Sequence, residues 1–212
     1  MNNVIQWILF FFYFLAFVAI VLGYGWTIVL YISGNRYLKQ LSITPAGNES
    51  DYLWVFLIPA LNEGVTIADS VARIRAVEAT NKTAMVINDG STDNTGEVLE
   101  SIAGSDLEVL TRVPPNAKIG KAAALNAAFS YVKNVLLQKP EYQHWHPNKV
   151  IFAIVDADGR LAFDAPSKVA RHFDNPRIGG VQVAVSIYNQ TSFLTRMQGL
   201  EFQVFGGLFQ VG

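Results

Sequence analysis

The stretch Val150-Ile151-Phe152-Ala153-Ile154-Val155-Asp156-Ala157-Asp158-Gly159 sets an unbroken apolar run directly before a pair of acids one residue apart. The run has the length of a strand, and because every position is apolar rather than every second one, the strand is buried on both faces. Working outward, the same form recurs at Leu53–Ile58, ended by Pro59, at Ala84–Ile87 and at Leu107–Leu110. Segments of helical spacing lie between: Val65 to Val77 (apolar at Val65, Ala68, Val71 and Ala72), about Thr92 to Ser101, and an alanine-rich stretch from about Gly120 to Leu137. On the other side, Ile178–Ile187 reads as a further strand. Strands and helices alternating at this spacing predict an α/β fold, a doubly wound and mostly parallel sheet covered by helices. Such sheets bind ligands at the carboxyl ends of their strands, near a switch in strand order.

The N-terminus is of another kind. No charged side chain occurs from Asn2 to Asn35, and Val4 to Ile32 is almost wholly apolar or aromatic. A bilayer core takes about 20 apolar residues, so the run predicts one transmembrane helix, with Gly23 and Gly25 as places where it can bend. A cleaved signal peptide would carry a positive start and a shorter apolar run; Met1-Asn2-Asn3 has no Lys or Arg. The first cations, Arg36 and Lys39, follow the span, which places the next domain in the cytosol of a cell-membrane protein by the positive-inside rule. The expected layout is an anchor at 1–35, a linker at 36–52 containing Pro45, Gly47 and Asn48, and a ligand-binding domain from 53 to 212. A net charge of −1 without a Lys/Arg-rich run excludes an electrostatic case for nucleic acid. The absence of cysteine removes disulfides, thiolate metal sites and thiol nucleophiles together.

Each strand tip carries polar residues that read in two ways. Pro59-Ala60-Leu61-Asn62-Glu63 is either a turn with Asn62 as helix cap and Glu63 in the first turn, or part of a binding pocket. Asn88-Asp89-Gly90-Ser91-Thr92-Asp93 has the composition of a strand-to-helix corner; functionally, Asp89 would accept a ring N–H of a base. Lys118-Ile119-Gly120-Lys121-Ala122-Ala123-Ala124-Leu125-Asn126 opens a helix with small residues and a cation, which suits a diphosphate, although alanine-rich helices also pack closely without a ligand. It is not a Walker A loop, since the earlier Gly and the following Ser/Thr are missing. Asp156 and Asp158 are either an acidic turn closed by Gly159 or the holders of Mg²⁺ or Mn²⁺, which would take its other ligands from water and substrate phosphates. Two like charges side by side without a cation are unfavourable, which supports the metal. His144 and His146 flank Trp145 in a loop without further ligands, and His172 lies in a helical stretch. The aromatic segment Phe193 to Phe209 suits core or membrane-surface packing.

Taken in order, strand–PALNE, strand–NDGSTD, GKAAALN and strand–DAD resemble the inverting family-two glycosyltransferases of GT-A fold. The set is most similar to the membrane-bound branch that includes hyaluronan, cellulose, chitin and poly-N-acetylglucosamine synthases. The resemblance implies that Ala60, Asn62 and Glu63 line a nucleotide pocket and that Asp89 contacts uracil. It further implies that Lys121 meets the diphosphate of a UDP-sugar, and that Asp156 and Asp158 place the metal. Asn88 stands where the family often has Asp. A glycan would be the acceptor. The family's general base, an Asp further along, and the Gln-x-x-Arg-Trp motif of polymerising members have no counterpart; the later acids are Asp164, Asp174 and Glu201. The resemblance therefore implies the donor half of a longer enzyme, ending inside an interfacial segment at Phe209-Gln210-Val211-Gly212. Two alternatives remain: a single-sugar transferase acting on a lipid phosphate, and a non-catalytic membrane module that binds a nucleotide or a partner.

Overall fold

A computed structural model describes residues 2–43 and 46–205. Its helices are α1 (Asn2–Ile43), α2 (Ile67–Ala76), α3 (Thr95–Ser101), α4 (Lys121–Asn134), α5 (Ala165–Phe173) and α6 (Phe193–Phe205). Its strands β1 (Leu53–Ala60), β2 (Lys82–Asn88), β3 (Leu107–Thr111) and β4 (Val150–Ile154) form one all-parallel sheet in the order β3-β2-β1-β4. The contacts of the chain separate Ala46–Val181 from the described residues on either side of it.

The continuous apolar run in β1 has the expected cause. Successive side chains point to opposite faces of a strand. Trp54, Phe56, Ile58 and Ala60 enter a core with Ile67, Val71 and Ile74 of α2, Leu99 of α3 and Ala170 of α5. Leu53, Val55 and Leu57 enter the other, with Met85 and Ile87 of β2 and Ala124, Ala128 and Val132 of α4. Phe56, Leu57 and Ile58 have no exposed surface; burying each contributes about 1.5–3 kcal/mol. The small side chains of α4 recur one turn apart along its buried edge, so the alanine-rich run does serve helix–sheet packing.

The chain steps from β1 to β2 to β3 through α2 and α3. It then returns along α4 to β4 on the far side of β1. The order switches between β1 and β4, so a crevice opens at their carboxyl ends. The acidic pair follows β4 and therefore lies at that crevice.

The strand expected at Ile178–Ile187 does not form; this segment has no regular structure, and Val183 and Val185 are exposed. A strand needs a ladder partner, and its propensity reports packing rather than an intrinsic preference; no described residue pairs with the free edge of β4. The helix expected from Thr92 begins at Thr95, because the intervening side chains bind a neighbouring loop, as shown below. α1 runs unbroken through Gly23 and Gly25 to Ile43, so the first part of the expected linker is helical. At 1.5 Å per residue its 42 residues span about 63 Å, about twice a bilayer core. Phe193, Leu194, Met197 and Phe202 of the aromatic segment are exposed on α6 rather than in a core. Pro45 of the linker and the Phe209–Gly212 ending lie outside the described residues.

Candidate active site

The ladder of the sheet carries one residue past its strands. Asp89 N–H donates to the Ala60 carbonyl (2.9 Å), Arg112 N–H to Asn88 (2.9 Å) and Val155 N–H to Leu57 (3.0 Å). These bonds fix the polar tips of four strands at one end of the sheet.

The first two tips are bolted together. Asn62, at φ 60°, donates its N–H to Ser91 Oγ (3.0 Å), and its Oδ1 accepts from Thr92 N–H (2.8 Å). Glu63 N–H donates to Thr95 Oγ1 (2.9 Å) and Gly64 N–H to Asp93 Oδ2 (3.0 Å). The loop 62–64 thus has its backbone donors satisfied by side chains of 91–95, and Ser91, Thr92 and Asp93 are committed to this clamp. The Thr95 hydroxyl, followed by the N–H groups of Gly64 and Thr95, holds the Asp93 carboxyl below the usual aspartate range. A group with a depressed folded-state pKa adds stability that is complete above its unfolded value and lost as pH falls through the folded one. Melting of the native chain against Asp93→Asn is therefore expected to show a constant gap near neutrality that closes as pH drops below about 4.

The second acid pair is set by alternation. Val155 and Ala157 are buried in the core, which turns Asp156 and Asp158 outward. Gly159 N–H closes the turn on the Asp156 carbonyl (2.8 Å), and buried Ser70 of α2 donates its hydroxyl to the Ala157 carbonyl. The start of α4 completes the site. Gly120, at φ 108°, occupies a backbone conformation that side chains rarely adopt, and Lys118 stands in the left-handed region at φ 61°.

A cleft of about 420 Å³ collects these parts: Pro59, Ala60, Leu61 and Glu63 from the β1 tip, Asp89 from β2, Lys118, Gly120, Lys121 and Ala124 from the α4 entry, and Asp156, Ala157 and Asp158 after β4. Of the residues expected to form a site, Ala60, Glu63, Asp89, Lys121, Asp156 and Asp158 share this cleft. Asn62 does not line it; its backbone and amide hold the clamp. The Lys121 ammonium contacts Asp156, with both side chains more than half exposed. An ion pair so exposed contributes little, about 0–1 kcal/mol, and leaves both groups free to turn to a ligand. Glu63 accepts from the Thr66 hydroxyl (2.6 Å).

Among the described residues no three or more His, Cys, Asp or Glu side chains gather as a metal cage. A pair of hard carboxylates at the rim of an open cleft fits Mg²⁺ or Mn²⁺, which keep water and take phosphate oxygens, and does not fit zinc. The histidines serve local structure: His146 Nδ1 accepts from Asn148 N–H (3.3 Å), His144 lies tilted against the Trp145 ring, and burial followed by Arg171 holds the His172 imidazole below its usual range.

Two groups escaped sequence reasoning. Lys118 was only the first letter of a motif, and nothing in its type announces the positive φ that turns it toward the cleft. Arg112 pairs with Asp89 at 2.5 Å, both side chains being at most a tenth exposed. The signal for it was register: Thr111 sits opposite Asn88, which sets the following residue beside Asp89.

A family model described as Glycosyl transferase family 2 matches residues 55–209. This chain belongs to glycosyltransferase family 2. Among curated relatives, the chain is 28% identical over 196 residues to a poly-beta-1,6-N-acetyl-D-glucosamine synthase of Staphylococcus aureus (strain COL), covering 91% of its own length and 43% of that protein. A synthase of the same name from Staphylococcus epidermidis is 29% identical over 154 residues, covering 69% of this chain and 32% of that one. The chain thus spans less than half the length of these curated relatives. Among solved structures, a mannosyltransferase from Pyrobaculum calidifontis in complex with GDP-Man and Mn²⁺ superposes with a TM-score of 0.51 at 21% identity, over 74% of this chain and 42% of that one. At that identity the likeness establishes the GT-A fold alone.

Proposed function

We propose that the transferase holds the donor side of a metal-dependent, inverting sugar transfer from a UDP-sugar to a growing polysaccharide. The observation that carries this reading is the convergence of Asp89, Lys121, Asp156 and Asp158 on one cleft at the switch point of the sheet. A uridine diphosphate needs an acceptor for a ring N–H at one end and positive charge at the other. Asp89 lies on one wall, and the Lys118 and Lys121 side chains with the N-terminus of α4 on the next. Asp156 and Asp158 would hold the Mg²⁺ or Mn²⁺, which when bound neutralises charge on the departing diphosphate. Lys121 would turn from Asp156 to the same diphosphate and stabilise the bond-breaking step electrostatically. Ala60, Leu61 and Glu63 would shape the nucleoside end.

In the transfer an acceptor hydroxyl attacks the anomeric carbon, the bond to UDP breaks, and the hydroxyl proton passes to a base. Of the acids after Asp158, Asp164 pairs with Lys168 (2.6 Å) and Asp174 accepts from Tyr52 (3.5 Å). Neither lines the cleft, so the base would come from outside the residues gathered there. The staphylococcal relatives' names support a polymer of N-acetylglucosamine as product. The test is UDP binding by the purified chain, titrated with and without Mn²⁺; binding that ignores the ion in every form of the cleft would refute the metal part of the proposal.

We propose the same division of labour along the chain as the sequence suggests: 1–35 as anchor, 36–52 as connection and 53–212 as the donor-binding part. α1 is long and apolar enough to cross a membrane, and Arg36 and Lys39 after it favour a cytosolic face for the cleft. The expected outcome is a protein that stays in the membrane pellet through alkaline carbonate washing and retains Met1. Release into the wash, or an N-terminus beginning after the apolar run, would contradict an anchor.

A further inference from the structure

We infer that Arg112 is the positioning residue for base recognition. It holds Asp89 from behind so that one carboxylate oxygen faces the cleft with its acceptor lone pairs free. The inference rests on the UDP reading above and adds to it a residue that touches no donor.

The geometry is specific. Arg112 Nη1 donates to Asp89 Oδ1 at 2.5 Å, and its Nη2 donates to the Asn116 carbonyl. No hydrogen bond from a described residue engages Asp89 Oδ2, although Asp89 lines the cleft. Arg112 does not line that cleft; it lines a separate open depression of about 570 Å³ with Thr111, Val113 and Asn116. Asp89 therefore stands between the guanidinium and the ligand space. Both partners are nearly buried, at 8% and 10% side-chain exposure, so each needs the other: an isolated buried charge is strongly unfavourable.

The same guanidinium ties the 112–117 loop to the β2 tip. Gly90, at φ 76°, lies against that loop with no room for a side chain: an added Cβ would come within 2.9 Å of Ala117 Cβ. A planar fork can bond a carboxylate with one arm and a carbonyl with the other; an ammonium on a flexible stem does not reproduce this. Arg112 thus sets the angle of the base-reading carboxylate and the path of the loop that carries Lys118.

The consequence is base selectivity. A fixed carboxylate oxygen accepts the ring N–H that uracil presents and repels the ring lone pair that cytosine presents at the same atom. A diphosphate contributes equally to both nucleotides, so the ratio of UDP to CDP affinity isolates the base contact. The experiment measures both affinities, with Mn²⁺, for the detergent-purified chain and its Arg112→Met, Arg112→Lys and Asp89→Asn variants, each checked for a cooperative melt. The native chain is expected to prefer UDP by about tenfold or more, as for a hydrogen bond to a charged group. Arg112→Met should remove most of that ratio. Arg112→Lys, which keeps the charge and so folds even where the methionine variant does not, should lower it severalfold. An unchanged ratio in Arg112→Lys, with Asp89→Asn collapsing it, would overturn the role of Arg112 while leaving the UDP reading intact. An unchanged ratio in Asp89→Asn would overturn base reading by Asp89, and the role of Arg112 with it.

Discussion

Asp158→Ala is expected to abolish the Mn²⁺-dependent part of UDP binding while leaving the fold untouched. Asp158 is exposed at the rim of the cleft, and no described hydrogen bond or ion pair engages its carboxylate, so its removal costs the native state little. The proposed metal site, by contrast, draws on this acid and Asp156 among the described residues, and the remaining ligands would be water and phosphate. Halving the protein's share of the ligand set should weaken the ion by about 10- to 100-fold or more, since even second-shell changes have effects of that size. Titrating UDP at fixed Mn²⁺, followed by calorimetry, checks this. The metal-free affinity of the variant should equal that of the native chain, because Asp89, Lys118 and Lys121 are unchanged. Retention of the full Mn²⁺ effect would show that the ion binds without this acid.

Asp89→Ala should fail in the opposite way, through the fold. The substitution removes a carboxylate that is nearly buried against Arg112 and strands the guanidinium in its place. Breaking a buried pair from one side costs about 3–5 kcal/mol, a large share of the roughly 5–15 kcal/mol that holds a domain together. Chemical denaturation should show the loss as a lower midpoint at unchanged slope. Asp89→Asn keeps an oxygen for the Arg112 arm and should cost less, which separates the structural role of the acid from its proposed contact with a base. A variant as stable as the native chain would show that the pair is not closed in solution.

Much of this was legible in the chain. β1 announced itself because a strand between two helical layers has no polar face, and the acid pair because Val155 and Ala157 must go inward if Asp156 and Asp158 go out. The start of α4 was readable from Gly120 followed by Lys121 and small residues. Tertiary neighbours decided the rest. Asn62 looked like a ligand-lining residue, yet the clamp to Ser91 and Thr92 depends on two loops separated by a helix and a strand, and no local pattern encodes it. The Ile178–Ile187 segment has strand composition but finds no ladder partner among the described residues, and its Val183 and Val185 remain exposed. Arg112 became visible only when the parallel register set β3 beside β2. Local residues specify elements; the register of the sheet specifies which tips meet.

The proposed transfer requires nucleoside diphosphate and divalent ion to share the crevice between β1 and β4. A crystal structure of the chain grown with UDP and Mn²⁺ tests it most directly. Uracil is expected against Asp89, the diphosphate against Lys121 and the N-terminus of α4, and the ion between that diphosphate and Asp156 and Asp158. Nucleotide bound elsewhere, or an ion remote from both acids, would contradict it.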